Sequence, residues 1–296
     1  MSTIKNEALD SHGRKVTVYY NLPFEQYTEL DGVNSSRLKH LSHSLLAYQK
    51  NPQTIGKRSA SVGHMSHCLL LEPDSFNDRY VCKPEGMIAN KRHAKYQAFL
   101  ETVPTGADVA SEKDYLLAGD IVESIENDPL CYGHLEGGIT EVTIQWYCDE
   151  TGMLCKARID HLGKHGITDL KTSKDVTPQG FQYEAKRYGY WRQAAHYRAA
   201  VIAAVKAGLM DFSDDYHILA ADNTGKLSCQ VLYRLDGATV DSFNEARIQD
   251  LEIVDRAEEL GSFPGPGNEA INALEYPGLA PALPEDDEEI EESQGY

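Results

Sequence analysis

No two cysteines in this 296-residue chain are spaced as CxxC. Cys68, Cys82, Cys131, Cys148, Cys155 and Cys229 are scattered, which excludes zinc-ribbon and zinc-finger modules and leaves reduced, structural thiols. Long apolar runs are missing as well. Nothing approaches the ~20 residues that cross a bilayer, and the opening "MSTIKNEALDSHGRK" has no apolar signal core, so no membrane association and a cytoplasmic location are expected. There is no internal repeat. Positive charge is scarce: 28 Lys and Arg against 46 Asp and Glu give a net −18. Seven of those acids lie between Glu285 and Glu292, and removing them takes −18 only to −11. A surface coated in positive charge is excluded, and any contact with a polyanion needs a focused basic patch.

What is present suits one α/β domain. The 41% hydrophobic content supports a sizeable core. Residues 1–20 read as a flexible N-terminal arm, 21–275 as the single domain, and 276–296 as an acidic, disordered tail. The tail reads as a solubilising segment, or else as a partner tether or a DNA mimic. Helices are expected over "NSSRLKHLSHSLLAYQKNP", capped by Ser35 or Ser36, and over Ser61–Leu71. Others follow the capping-box pair Ser111 and Asp114, Pro178, and Ala238. Strands are expected as a meander from Glu141 to Lys171 and over "DYHILAADN" and "KLSCQVLYRL".

The meander carries the chemistry. Turns at Asp149–Gly152 and Gly163–Gly166 set a register in which Cys148 meets Met153 and Gly163 meets Gly166. Counting outward, Glu141 faces Asp160 and Asp160 faces Asp169. One face carries Val142, Ile144, Trp146, Cys155, Ala157, Ile159 and Leu170. The other carries Glu141, Thr143, Gln145, Lys156, Arg158, Asp160, Asp169 and Lys171. Three carboxylates in a row repel one another, and a hard cation such as Mg²⁺ relieves that repulsion. Lys171, two residues beyond Asp169, shares their face and suits a developing phosphoryl charge. The plainer alternative is the wet face of an antiparallel sheet, with Lys156 and Arg158 balancing the acids.

"RID…ITDLKTS" resembles the PD-(D/E)xK nuclease motif, with Ile159 before Asp160 where the motif has proline and Thr168 before Asp169. "SVGHMSHCLLLEPDSFNDRYV", "TEVTIQWYCDETGMLCKARID", "YGYWRQAAHY" and the early "LPFEQYTELDGVNSSRLKHL" resemble successive segments of the RecE-type exodeoxyribonucleases (exonuclease VIII), a RecB-like group. The likeness runs from about Leu22 to Asp255. It implies a PD-(D/E)xK core, a central mixed sheet with an antiparallel meander flanked by helices. It implies Asp160, Asp169 and His67 as ligands of Mg²⁺ (or Mn²⁺), and Lys171 as the catalytic lysine. Gln193 and Tyr197 match the helix motif that braces the site and approaches DNA, and Glu141 stands as an additional acid. The resemblance further implies 5′→3′ digestion of linear double-stranded DNA in a bacterial or phage-infected cell. With it come a ring-shaped homo-oligomer, such as a tetramer, and handover to a single-strand annealing recombination protein.

The residues alone leave other readings open. His67 beside "CLLL" suits a half-buried structural histidine, as does His64 three positions earlier. Gln193 and Tyr197 suit ordinary helix packing. Lys186, Arg187, Arg192 and Arg198 sit among tyrosines against one acid, Glu184, and form the patch expected to meet DNA. Tyr190, Trp191 and Ala194 read as core. A nuclease of other polarity, or with a single-strand or flap substrate, would share every site residue, and a non-catalytic module binding DNA ends remains a rival.

Overall fold

The run Val16–Tyr20 is β-branched and aromatic, and it follows a turn at Asp10–Gly13 in which the Asp10 carboxylate accepts the backbone N–H of His12 and Arg14, both at 2.8 Å. In the computed structural model, which describes residues 2–50 and 61–266, this local chemistry closes a hairpin of Ile4–Leu9 (β1) and Lys15–Tyr20 (β2). The flexible arm expected over residues 1–20 is corrected by it: Val16 and Val18 are buried, and β2 joins the central sheet. The acidic tail lies outside the described residues.

Three short helices follow, Phe24–Glu29 (α1), Ser35–Leu38 (α2) and Leu45–Lys50 (α3). The single helix expected here is broken, because two polar side chains each cap a separate piece. Asn34, not Ser35 or Ser36, accepts the Arg37 N–H at 2.9 Å, and Ser44 accepts the Ala47 N–H at 3.0 Å. Val62–Leu71 (α4) begins at its Ser61 cap, as expected. After Phe76–Arg79 (α5), the strands Tyr80–Cys82 (β3) and Asp108–Ala110 (β4) pair in parallel around Ala94–Leu100 (α6). Glu112–Glu126 (α7) carries the expected cap: Ser111 Oγ accepts the Asp114 N–H at 3.1 Å and donates to its carboxylate at 2.7 Å. Pro129–Leu135 (α8) starts on proline behind the cap Asp128.

The meander is Ile139–Tyr147 (β5), Leu154–Gly163 (β6) and Gly166–Ser173 (β7). Pro178–Tyr188 (α9) and Tyr190–Lys206 (α10) are separated by Gly189, whose φ of 72° ends the first helix. Tyr216–Asp222 (β8), Gln230–Arg234 (β9) and the long Gly237–Leu260 (α11) complete the order. The main sheet runs β1-β2-β5-β6-β7-β8-β9, antiparallel except where β7 lies parallel to β8. That parallel step needs a long crossover, which α9 and α10 supply. The fold is thus mixed α/β, a mostly antiparallel sheet flanked by helices. Trp146, Ala157 and Ile159 pack with Ala194 and Val201 of α10 in one core; Leu170 and Leu219 pack with Ile121 and Ile125 of α7 in another. Among the described residues no helix is long and apolar enough to cross a membrane.

The expected apolar residues are buried, but Leu170 lies in the α7 core and not with the other six, and the polar set is no wet face. Lys156 is 1% exposed, and its ammonium is held by the carbonyls of Tyr27, Thr28 and Leu30, at and just beyond the C-terminal end of α1. Burial pushes its pKa down to about 8. Arg158 donates to Leu22 O at 2.5 Å. The segment from Leu22 to Leu30 therefore roofs the polar side of β6.

Candidate active site

The turn register holds at both ends. Cys148 N–H donates to Met153 O at 2.9 Å, and Gly163 pairs with Gly166. The expected carboxylate row is corrected by what happens next. The β6–β7 ladder runs only from Gly163↔Gly166 to His161↔Thr168. Beyond it β7 continues with β8, and Val33 takes the vacated edge of β6 at Cys155. Asp160 and Asp169 stand where this fork opens. Leu170 N–H donates to Asp160 Oδ2 at 3.1 Å instead of to a strand carbonyl. Across β5, Thr140↔His161 and Val142↔Ile159 pair normally, while Glu141 between them has a left-handed φ of 56°. Such backbone costs about 1–3 kcal/mol in a non-glycine residue and turns its carboxylate off the regular pleat.

α4 brings His67 over the fork. It comes close because Gly63 has no side chain: a Cβ there would stand 2.8 Å from Thr172 Oγ1 on β7. His67 Nε2 lies 3.2 Å from Asp160 Oδ2, and Nδ1 lies 3.5 Å from Glu141 Oε1. Glu141 Oε2 meets Arg158 Nε, and Arg158 in turn lies 3.8 Å from Glu72, which is clamped by Arg79 at 2.7 and 2.8 Å. Asp169 is fully buried. Its Oδ1 accepts from Gln193 Nε2 of α10 at 2.9 Å, and its Oδ2 faces Lys171 Nζ as an ion pair without hydrogen-bond geometry. Lys171 Nζ also lies 5.3 Å over the Tyr190 ring.

These contacts separate the three acids electrically. Burial pushes Asp160 up, but His67, Lys171 and the Leu170 N–H together outweigh it and hold the carboxyl well below the usual range. Burial dominates at Asp169, which rises to about 7 despite Lys171, and at Glu141, which is raised despite Arg158 and His67. Burial opposes the His67 imidazolium, yet the Asp160 carboxylate and then Glu141 lift it to about 9. Lys171 is raised against burial by Asp169 and Asp160.

A divalent cation fits this donor set. His67, Glu141 and Asp160 each offer a ligand atom, all within 4.8 Å of one another. Glu141 Oε1 is buried with no hydrogen-bond donor, while Asp169 Oδ2 is already ion-paired with Lys171. The His67 imidazolium supplies the positive charge a bound ion would bring. Carboxylates with one imidazole suit Mg²⁺ or Mn²⁺. The grouping differs from the expected His67, Asp160 and Asp169: Glu141 completes it, while Asp169 is tied to Gln193 and Lys171.

The fork opens into a cleft of about 690 Å³ that also reaches Tyr197, Arg37, His40 and His64. Ser36 and Thr172 line both this cleft and a groove of about 660 Å³. That groove holds Lys39, Lys174, Arg187 and Arg192, with Tyr183 72% and Tyr188 41% exposed. Lys39 Nζ lies 5.2 Å and the Arg187 guanidinium 5.6 Å from the Tyr188 ring centroid. Of the four cations expected to meet DNA, Arg187 and Arg192 line this groove, Arg192 also bonding Asp250 at 2.7 Å. Lys186 is exposed on α9 outside both linings. Arg198 is corrected: it faces away, bound to Asp214 at 2.6 Å and Asp241 at 3.0 Å. Tyr190 and Ala194 are buried as expected, and Trp191 stacks on Phe243.

Glu72, Arg79, Arg37, Lys39 and His40 line the cleft and groove without having been singled out from the sequence. The signal lay in two family-like segments, Leu22–Leu41 for Arg37, Lys39 and His40 and Ser61–Val81 for Glu72 and Arg79, both read for order and not for side chains.

A family model described as "PDDEXK-like domain of unknown function (DUF3799)" matches residues 34–234. Among solved structures, a candidate exonuclease from Eubacterium rectale is similar in fold, with a TM-score of 0.57 at 13% identity over 86% of this chain and 96% of that one. Rai1 of Scheffersomyces stipitis, solved with (3′-NADP)⁺ and calcium, aligns over 85% of this chain and 84% of that one at 14% identity. Its TM-score of 0.21 carries no structural weight. No curated protein matches the chain.

Proposed function

The chain belongs to the PDDEXK-like family, and from that premise we propose that it is a metal-dependent exodeoxyribonuclease of the RecE type. Its substrate is linear double-stranded DNA, digested 5′→3′ to leave a 3′ single strand for annealing-based recombination. The observation that carries this reading is the fork, where Glu141, Asp160, Lys171 and His67 line a cleft, with Asp169 buried behind Lys171, and the cleft continues into a basic, aromatic groove.

Asp160, Glu141 and His67 would hold Mg²⁺ or Mn²⁺. When bound, the ion supplies positive charge to the scissile phosphate and acidifies water at the site. Lys171 holds the attacking water and neutralises charge gathering on the phosphoryl oxygens. Asp169 keeps that ammonium in place, and Gln193 keeps Asp169 in place. Leu170 N–H and Arg158 orient Asp160 and Glu141. Arg187, Lys174 and Lys39 grip backbone phosphates, while Tyr183 and Tyr188 offer faces to unpaired bases. A ring-shaped homo-oligomer and handover to a single-strand annealing protein belong to the same proposal.

The test is linear duplex labelled at either the 5′ or the 3′ end, beside closed circular duplex, with Mg²⁺. Early release of 5′ label as mononucleotides with circles intact supports the reading. Early loss of 3′ label, or cutting of circles, overturns the substrate assignment.

A further inference from the structure

The basic groove holds charge that the fold leaves unmatched. Lys39, Lys174 and Arg187 are exposed along it, and among the described residues none of the three pairs with a carboxylate. Arg192 is held by Asp250, and Glu184, the one acid in the lining, accepts from Ser173 Oγ. Lys39 and Arg187 both rest on the Tyr188 ring, which places the two cations without neutralising them. In a chain of net charge −18, such a groove is the place where an anion of stated length should settle.

The chain leaves the described residues beside this groove. Pro264 O accepts the Leu46 N–H at 3.1 Å, which seats the last described segment on α3. The ring of Tyr48 on that helix lies 4.2 Å from the Arg37 guanidinium of the cleft. Lys39 precedes Leu46 by seven residues, so the two lie at most ~25 Å apart. After Pro266 come eighteen residues, 267–284, and then Glu285–Glu292, seven acids in eight positions. Eighteen residues reach up to ~60 Å, more than twice that separation. Laid along a groove, the acidic run carries one charge per ~3.8 Å, close to the ~3.4 Å per phosphate along one strand of DNA.

We propose that Glu285–Glu292 docks in the groove of its own chain, on Lys39, Lys174 and Arg187, and that DNA must displace it. This rests on the reading of the groove as the DNA path and adds a regulator to that path. Tethering makes the docking intramolecular, so ion pairs too weak to hold a free peptide suffice. A run docked about three-quarters of the time lowers apparent DNA affinity about fourfold, because only the open fraction binds. A short or poorly gripped nucleic acid is turned away by that margin. A duplex that engages many phosphates overcomes it.

The test compares the full chain with a variant in which the five Glu of the run become Gln and its two Asp become Asn. Zero-length carbodiimide coupling of DNA-free protein, mixed from light and heavy-isotope chains, is mapped by mass spectrometry. Docking predicts amide links from the run to Lys39 or Lys174 within one chain. Links that are absent, spread over lysines outside the groove, or join light to heavy chains overturn it. Binding of a short duplex is then measured by anisotropy in EDTA, without cleavage. Neutralisation should tighten binding about fourfold, and by under about 1.5-fold once Lys39→Ala and Arg187→Ala remove the docking cations. An equal gain in both backgrounds is long-range repulsion and overturns the proposal. Should those two substitutions leave the DNA affinity of the neutralised chain unchanged, the groove is not the DNA path and that reading falls, while the cross-links still decide the docking.

Discussion

His196 ties α10 to β6, and acid should undo that tie. Its Nε2–H donates to Lys156 O at 3.0 Å, its ring packs 5.0 Å from Trp146, and its Nδ1 is buried without a partner. Gln193, which holds Asp169, is one turn earlier on the same helix. Burial, reinforced by Arg247, pushes the imidazole down to about 3, against about 6.5 unfolded. The folded pKa is the lower one, so the unfolded chain binds the extra proton between these values. The stability is therefore fully present above about pH 6.5 and lost on acidification, by about 1.4 kcal/mol per pH unit. Between about pH 7 and 5 the loss from this one group is about 2 kcal/mol. Urea unfolding of the wild type and His196→Leu at both pH values measures it. At the higher pH the variant is weaker by about 1–3 kcal/mol, because Lys156 O loses its donor. From the higher pH to the lower, however, it loses about 2 kcal/mol less than the wild type. Other groups titrate alike in both proteins, so equal pH dependences would refute a buried neutral imidazole as the brace.

Lys171→Met should lower turnover at saturating DNA by about 10²–10³-fold, and a fall under about tenfold would remove the lysine from the chemistry. Lys39→Ala with Arg187→Ala should weaken DNA binding and reduce the slope of log K against log salt by about 1 per cation, whereas Arg198→Ala leaves the slope unchanged. Fluorescence anisotropy over a salt series separates the two. Gly63→Val drives a side chain into Thr172 and lifts α4 from β7. It should cost about 1–3 kcal/mol in urea melts and about 10–100-fold in Mn²⁺ affinity by calorimetry. Wild-type Mn²⁺ affinity in that variant would contradict the placement of His67.

The meander was legible because turn chemistry and alternation agree there: "DETG" and "GKHG" close where they should, and the apolar set is buried. The fork was not. Alternation assumes a continuous ladder, and nothing local announces that β6 and β7 part after His161↔Thr168 or that Glu141 takes a left-handed φ. The same assumption hid the Leu22–Leu30 roof over Lys156 and Arg158, a long-range contact that no local period encodes. β1 escaped notice because both its faces are largely exposed, which erases the burial alternation of a strand. Arg198 was placed in the basic patch by composition. At 100° per residue, though, it lies about 120° around α10 from Arg192, and the helix turns it toward Asp214 and Asp241.

The fork is proposed as a metal-dependent hydrolytic centre. Its most direct test is the rate at which linear duplex DNA is converted to acid-soluble nucleotides by the wild type and by Asp160→Asn, each with Mg²⁺ and with EDTA. DNA binding is measured in parallel. The wild type should digest DNA in Mg²⁺ alone, and the variant should bind it without digestion. Digestion that survives EDTA, or that Asp160→Asn leaves intact, would contradict the proposal.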